Sequence, residues 1–426
     1  MLSPCLAAFA ALAVVTSLAA PAPKAATAAP TLAYERDAAL FLKQHHARAA
    51  RTPGLFLARK YAAMSDSAVG FFRGSAPLFY RDLAEHPALS SPVVIPISGD
   101  LHLENMSAFR NSQGIYTFDL DDFDEAVDAP YTWELVRLLI SLRLHAREAN
   151  LSGAASDRLA RRLLKGYVER LAALAADPAP LARPVAAREV PGPAAQAIAA
   201  ATRGKRAAFL ARFSEHGRLR TGKKVVTLDP STSRGVTQAL EAYALRRPEP
   251  VGFFKVKDVA RRMAGLASLS RHRYLALVEG PGPGDADDVL LDLKEAGPPA
   301  AGPWVKATGR SDGERVKRAW DRFVPNADRF LGVVSAGGGS LVVRELTPWH
   351  GEVAVDELKT EARFSRYIDA AALVTARAHA RSGRVPAILA DAGTPDALFK
   401  RLATFSDSYA RQVESDREIW RTYMDP

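Results

Sequence analysis

The sequence predicts a mixed α+β fold in which helices are the majority and strands are confined to two regions of the chain. Three observations predict it. Long segments with helical periodicity occur in both halves, short apolar runs flank acidic loops near residues 93–118, and paired apolar runs separated by turn residues lie between residues 274 and 346. Strands joined by such turns are antiparallel. No internal repeat is visible.

The N-terminal segment, residues 1–29, predicts a cleavable export signal and a periplasmic or secreted protein. Residues 6–20 are uncharged and mostly apolar, too few to span a bilayer, and small residues with Ala-x-Ala patterns follow up to Ala29. No Lys or Arg precedes the apolar stretch, which departs from the usual pattern. Cys5 precedes it too, so lipidation is not expected and the mature chain would lack cysteine. No later run is long enough for a transmembrane anchor.

The remaining elements follow in chain order. Helices are predicted at residues 31–63 with a break at 52–54, and at 131–149, 156–175, 194–216, 364–382 and 395–423. Residues 71–124 form a mixed segment, and residues 177–193 a proline-rich loop. Strands are predicted at 274–278 and 289–294 around a turn at 279–288, and twice within 331–346 around three glycines.

Composition limits the class of protein. The 426 residues are 48% hydrophobic and 24% charged, enough for one large core or two lobes. The net charge of +10 comes from 57 basic and 47 acidic residues, which is a mixed surface. Aromatic residues do not interleave with the basic runs, as stacking on bases requires, so no nucleic-acid partner is predicted. An anionic ligand such as a nucleotide suits the surplus equally well.

Two acidic loops carry the chemistry. Asp100 lies five residues before Asn105, a spacing that fits a loop in which a carboxylate takes a hydroxyl proton and an amide holds a metal ion. Asp122, seventeen residues after Asn105, is placed to hold the same metal. The alternative is a solvated turn, since Asp and Asn cluster in turns. A cation site is favoured because four acidic residues on a largely apolar stretch would be partly buried: Asp119, Asp121, Asp122 and Asp124.

These loops and several other stretches resemble one family. The matching stretches are FFRG at 71–74, FYRDL at 79–83, GDLHLEN at 99–105, LDDFDEA at 120–126, YTWELVRL at 131–138, LDLKEA at 291–296, VREL at 343–346 and AHARSG at 378–383. The sequence is similar to the uncharacterised bacterial family called domain of unknown function 2252, which is grouped with the protein-kinase-like fold. The resemblance runs from about residue 55 to the C-terminus.

The resemblance implies a two-lobed protein-kinase-like fold with ATP, or another nucleotide, and Mg²⁺ as cofactors. Asp100 would be the catalytic base, Asn105 and Asp122 would hold the metal, and Asp124 a second ion. His102 would position the catalytic loop, and Glu134 would orient that loop from the next helix. The nucleotide side would be formed by Lys294 on the phosphates, Glu314 as its ion-pair partner, Arg73, and Gly265, the one glycine left in the Gly-rich segment.

The order of these residues predicts a circular permutation. In ordinary kinases the phosphate-binding lysine precedes the catalytic loop, whereas Lys294 follows it by about 190 residues. Residues 250–346 would then build the nucleotide-binding small lobe, with 30–249 as the large lobe and 347–426 as helices packed on it. In the competing arrangement the usual order holds, and Lys60 or Arg73 supplies the phosphate contact.

The predicted function is a phosphotransferase acting on an unknown small-molecule or protein acceptor. Two alternatives stay open. An exported, non-catalytic binding protein is favoured by the loss of glycines around Gly265 and by export away from cytoplasmic ATP. A metal-dependent phosphoesterase is less well supported, since its upstream Asp-x-His and downstream Gly-Asn-His are missing.

Overall fold

Helices pack around a three-stranded sheet formed by residues 106–110, 116–120 and 350–352, and a separate six-stranded sheet lies between its second and third strands in sequence. The computed structural model describes residues 37–50, 55–249, 251–263, 271–282, 284–306 and 309–424. These all fall within one compact unit, Asp37–Pro426. The predicted signal segment and Gly265 lie outside the described residues. The predicted mixed α+β class with antiparallel sheets is confirmed.

The helices have the following bounds: α1 Ala38–Ala49, α2 Leu55–Asp66, α3 Ala68–Gly74, α4 Ala76–Ala84, α5 Tyr131–Glu148, α6 Gly153–Ala176, α7 Pro193–Ala201, α8 Arg206–Phe213, α9 Pro230–Ala244, α10 Asp312–Phe323, α11 Glu361–Ala380, α12 Val385–Ala392 and α13 Pro395–Met424. The strands are β1 Val94–Ile97, β2 Met106–Arg110, β3 Tyr116–Leu120, β4 Val127–Pro130, β5 Ser214–Glu215, β6 Arg218–Leu219, β7 Val225–Thr227, β8 Val251–Phe254, β9 Val256–Arg262, β10 Arg273–Val278, β11 Val289–Ala296, β12 Gly332–Ala336, β13 Gly339–Glu345 and β14 His350–Glu352.

Helix α5 is the centre of the helical core. Every residue from Tyr131 to Ala146 is buried, and α3, α6, α13 and β1 pack against the helix. A helix that is apolar on all sides is expected to be buried in a core. The strongly apolar run 131–149 predicted such a helix. The few polar side chains of α5 therefore have to find partners inside the protein.

A short hairpin brings the two acidic loops together. Strands β14, β2 and β3 form an antiparallel sheet in which Met106 pairs with Leu120. Just outside that pair, the amide of Asp121 donates to the carbonyl of Asn105 at 3.0 Å. The end of the GDLHLEN loop and the start of the second acidic loop are thus hydrogen-bonded neighbours.

The six-stranded antiparallel sheet has the order β12-β13-β11-β10-β9-β7. The predicted strand pairs within it are confirmed, as is the helix after β11, which is α10. The sheet also takes in β7, and α9 packs on it, so this region draws on residues before position 250. Leu291 and Leu293 of β11 face the α9 side, and strand alternation turns Asp292 and Lys294 to the opposite face.

The run 194–216 was expected to be one helix, and the structure divides it into α7 and α8. Gly204 explains the break, because a Cβ there would lie 2.3 Å from the carbonyl oxygen of Pro348. Trp349 fixes the same contact by donating its indole N–H to the Gly204 carbonyl at 3.1 Å. The chain therefore enters the six-stranded-sheet region next to the point where it leaves it.

His145 near the end of α5 gives a stability prediction. It is 3% exposed, and neither ring nitrogen has a hydrogen-bond partner among the described residues. Burial lowers the pKa of His145 to about 3, so the folded protein keeps the ring neutral. The unfolded chain takes up the proton near pH 6.5, and the wild-type free energy of unfolding therefore falls as the pH drops from about 6.5 towards 3.

We expect His145→Leu to remove this loss, so that its advantage over wild type grows by about 2 kcal/mol between pH 7.5 and pH 5. Urea denaturation at the two pH values measures it. His86→Leu, at a partly buried position, is the matched control and should show no such growth. Equal pH dependence of wild type and His145→Leu would contradict the prediction.

Candidate active site

The GDLHLEN loop is held by one polar face of α5. Glu134, Arg137 and Ser141 are spaced three and four residues apart, so they lie on the same side of the helix. Each contacts a different part of the loop, and Ser141 accepts a hydrogen bond from the Leu103 amide at 3.1 Å. The loop's conformation is therefore fixed from within the core.

Glu134 anchors the start of the loop. Its Oε1 accepts hydrogen bonds from the amides of Ser98 at 2.6 Å and Gly99 at 3.3 Å. Its Oε2 lies 2.6 Å from Nε2 of His379 on α11, and both side chains have no solvent exposure. Tyr167 continues the chain, with its hydroxyl 2.8 Å from His379 Nδ1. A buried carboxylate is thus satisfied on both oxygens.

Asp100 pairs with Arg137. Both Nε and Nη2 of Arg137 lie 2.5 Å from Asp100 Oδ1, and the guanidinium also stacks on Phe72 at 4.2 Å. The Arg137 side chain has no exposure, whereas that of Asp100 is 15% exposed. Burial raises the pKa of Asp100 to about 6, with Arg137 acting against it and the Glu125 charge adding to it. The Asp100 carboxylate therefore has a fixed orientation but remains accessible to solvent.

Gly99 is required where the two acidic loops meet. Its φ is +81°, in the region that disfavours other residues. A Cβ at this position would lie 1.9 Å from the carbonyl oxygen of Glu125. The glycine thus lets the Asp100 loop approach the segment that carries Asp122 and Asp124.

Asn105 closes the loop on itself. Its side-chain Nδ2 donates to the Asp100 carbonyl at 2.7 Å. This bond uses the amide nitrogen and leaves the amide oxygen for another partner. His102 lies between the two, buried, with Nδ1 accepting from the Glu104 amide at 3.2 Å. Burial and the Arg73 charge hold the pKa of His102 well below its usual value, so the ring stays neutral.

The four aspartates of the second loop have different partners. Asp119 is buried 3.8 Å from Arg381, and burial raises its pKa to about 6. Asp121 turns to His350, at 2.9 Å, and Arg344. Although burial opposes it, these partners lower the pKa of Asp121 to about 2.

Lys294 meets the other two aspartates of that loop. Its Nζ lies 2.6 Å from Asp124 Oδ2 and 3.5 Å from Asp122 Oδ2. Burial lowers the pKa of Lys294, but the two carboxylates outweigh it and raise the pKa above its usual value. Burial and the Asp122 charge raise the pKa of Asp124. The Lys294 side chain therefore points towards Asp122.

Lys60 is a second buried cation near the loop. It is 7% exposed, and no carboxylate of the described residues lies within 4.0 Å of its amine. Burial lowers the pKa of Lys60 to about 8, the Arg271 charge acts in the same direction, and Glu125 and Asp100 oppose it. The two candidate lysines thus both lie near the acidic residues of the site.

Two other sequence candidates are placed differently. Arg73 forms an ion pair at 2.5 Å with Glu104 of the GDLHLEN loop. Glu314 is exposed on the first turn of α10 and is not brought to Lys294. The reason is helical geometry, because the next residue, Arg315, is the one turned inward and successive helical residues point about 100° apart.

Arg315 ties the sheet to the second acidic loop. Its guanidinium donates to the carbonyls of Asp124 at 2.9 Å, Ala126 at 2.5 Å and Gly297 at 2.7 Å. Gly297 follows β11, so this one side chain holds the end of the Lys294 strand against the loop that Lys294 contacts. The sequence reasoning did not single out Arg315.

Asp122 and Asn105 offer oxygen donors of the kind that Mg²⁺ binds. The Asp122 side chain is 40% exposed. The side-chain amide of Asn105 uses its nitrogen for the bond to the Asp100 carbonyl, so its oxygen can serve as a ligand. Mg²⁺ is usually bound by one or two carboxylates while it keeps several waters, so two or three oxygen ligands suffice. Within the described residues, no group of three or more His, Cys, Asp or Glu side chains is placed to hold a metal ion.

The fold and the site define a mixed α+β protein with a rigid carboxylate loop opposite a lysine on a sheet. The chain belongs to the family described as "Uncharacterized protein conserved in bacteria (DUF2252)", whose model matches residues 51–424. The family expected from the resemblance is therefore confirmed. No curated protein and no solved structure gives a significant match. None of the helices in the described part of the chain has the length and apolar character to cross a bilayer.

Arg137 and Ser141, like Arg315, are site residues that the sequence did not identify. The signal was present, because Glu134, Arg137, Ser141 and His145 form a polar stripe with spacings of three and four on an otherwise apolar helix. Polar side chains on a fully buried helix need internal partners. Such a stripe therefore indicates a helix that supports a polar loop.

Proposed function

We propose that this protein is a kinase-like phosphotransferase that uses a Mg²⁺-bound nucleotide. The observation that carries the proposal is the meeting of Asp100, Asn105, Asp122 and Lys294 from separate parts of the chain. Phosphoryl transfer needs a base for the attacking hydroxyl, oxygen ligands for the metal, and a cation for the phosphates. These four side chains supply all three.

In this mechanism Asp100 accepts the proton of the acceptor hydroxyl while Arg137 holds its carboxylate in direction. Lys294 exchanges its contact with Asp124 for the nucleotide phosphates, which leaves Asp124 available to a cation. Asn105 and Asp122 would hold Mg²⁺, which neutralises charge on the phosphates when bound. Glu134, through the amides of Ser98 and Gly99, keeps the loop in place throughout.

The permuted order is part of the proposal. Lys294 is on a strand that follows the GDLHLEN loop in sequence, and α10 follows that strand. Two features support it: the contact between Lys294 and Asp122, and the bonds from Arg315 that hold the strand end against the loop. Lys60 is the competing phosphate contact, so Lys60→Met and Lys294→Met should be compared for nucleotide binding.

The test is stabilisation of the purified protein by Mg-ATP. A ligand at about 100 times its dissociation constant adds about 2.7 kcal/mol to the free energy of unfolding, which a thermal-shift measurement detects. We expect this shift in wild type and its loss in Asp122→Asn, because the amide removes the negative charge that the cation needs. Asp356→Asn, at an exposed position, is the control and should keep the full shift. No shift with any nucleotide would favour a non-catalytic binding protein.

A further inference from the structure

A large cavity lies beside the candidate site and is not used by the mechanism above. Its volume is about 1100 Å³. One wall is the face of the six-stranded sheet that carries Asp292, and the other is formed by the α7–α8 connection and the segment around Trp349. Asp121 lines it as well, and so does Arg273 of β10, whose partner on β11 is Lys294, so the cavity adjoins the candidate site. Ligand pockets usually have volumes of about 300–1,000 Å³, so this cavity has room for a small-molecule ligand.

The sheet wall is rich in arginine. Arg262 and Arg273 both pair with Asp292, at 2.8 Å and 2.5 Å, so two guanidinium groups share one carboxylate. Arg344 on β13 lies 3.5 Å from Asp121, and its Nε lies 3.7 Å from Asp328 Oδ2, too far for a hydrogen bond. Guanidinium groups are suited to bidentate binding of phosphate or carboxylate.

The opposite wall carries cations without a carboxylate partner. Within the described residues no carboxylate lies within 4.0 Å of four of the lining side chains, Arg110, Arg203, Lys205 and Arg212. Arg110 instead stacks on Trp349 at 4.4 Å. In all, nine arginine and lysine side chains line the cavity against six carboxylates, an excess of three positive charges.

Exposed single cations are ordinarily just solvated, but a concave wall that gathers them focuses the field inside it. Some exposed arginines elsewhere are paired with a carboxylate, as Arg158 and Arg162 are with Glu361 and Asp369. The cavity differs from the rest of the surface because it gathers several unpaired cations on one concave wall, which suits it to an anion that the chain does not supply.

We propose that this cavity binds a ligand with at least two phosphate or carboxylate groups. Because Arg273 of the cavity is the strand partner of Lys294, we assign this multivalent anion as the acceptor substrate, an assignment that rests on the proposed function. The body of the acceptor would then be held by Arg203, Lys205 and Arg212.

The experiment measures binding by isothermal titration in metal-free buffer, with inorganic tripolyphosphate and citrate as probes. The test variant combines Arg203→Ser, Lys205→Ser and Arg212→Ser, all exposed positions whose replacement should leave the fold intact. The matched control combines Arg188→Ser, Arg384→Ser and Lys400→Ser, which remove the same charges at exposed positions outside the cavity. Lys294→Met is included because the nucleotide site could also bind tripolyphosphate.

We expect wild type to bind at least one probe, the test variant to bind it about tenfold more weakly or worse, and the control to stay within about twofold. Lys294→Met should retain binding, and the test variant should retain the Mg-ATP shift. The better probe identifies phosphate or carboxylate as the preferred group.

Absence of binding in wild type, or undiminished binding in the test variant, would overturn the anion site. Binding lost in Lys294→Met, or a test variant that no longer responds to Mg-ATP, would place the anion in the nucleotide site and overturn the acceptor assignment. Cavity-dependent binding without any Mg-ATP shift would support the anion site and reject only the phosphotransferase.

Discussion

Asp100→Asn is expected to lower the rate of phosphoryl transfer by about 10²–10⁴-fold while Mg-ATP still stabilises the protein. The amide keeps a hydrogen-bond acceptor for Arg137 but cannot take a proton from the attacking hydroxyl. Until the acceptor is identified, phosphate release from Mg-ATP, with water as acceptor, measures the rate. This separates Asp100 from Asp122, whose replacement should abolish binding itself.

The control for this loss has to account for stability, because the neutral amide leaves the charge of the buried Arg137 without its counter-ion. The unfolding midpoint of Asp100→Asn should be measured beside the rate, and assays run well below it. Asp356→Asn should match wild type in both. A variant Asp100→Asn that releases phosphate at the wild-type rate would contradict the role of Asp100 as base.

Glu134→Ala is expected to lower the free energy of unfolding by about 3–5 kcal/mol. The change removes the acceptor of the Ser98 and Gly99 amides and the partner of His379, all of which are buried. Buried donors that lose their acceptor cost the full desolvation of the group. Urea denaturation monitored by circular dichroism measures the loss.

Two further variants show whether the loss belongs to this network. Glu134→Gln preserves the shape and one acceptor oxygen, so its loss should be clearly smaller than that of the alanine variant. Glu169→Ala, where the side chain is 58% exposed, should change the free energy of unfolding by less than about 0.5 kcal/mol. Similar losses for all three variants would show that Glu134 is not the anchor of the loop.

Much of the fold was predictable from periodicity and turn residues. The buried helix α5, the β10–β11 and β12–β13 pairs and the closing helices follow local patterns that need no knowledge of long-range contacts. The division of 194–216 into α7 and α8 did not follow, because it depends on a close approach between Gly204 and Pro348, residues far apart in the chain. Local sequence carries no information on such a contact.

The candidate site was predictable in its residues but only partly in its contacts. The spacing of Asp100, Asn105 and Asp122 is visible in the sequence, whereas the orientation of α10 about its own axis is not. That orientation turns Arg315 inward and leaves Glu314 in solvent. The ion-pair partners of Asp119 and Asp121 were not predictable either, because Arg381 and His350 come from the C-terminal third of the chain.

The contact between Gly204 and the Pro348–Trp349 segment lies where the chain enters and leaves the six-stranded-sheet region. The chain leaves the helical core and returns to it at neighbouring positions, as an inserted module does. The outer strands of a module joined in this way can vary during evolution without moving the helices that hold the Asp100 loop. The Arg315 bonds are a second attachment of the same module, and they keep the distance between Lys294 and Asp122 from changing independently of the second acidic loop.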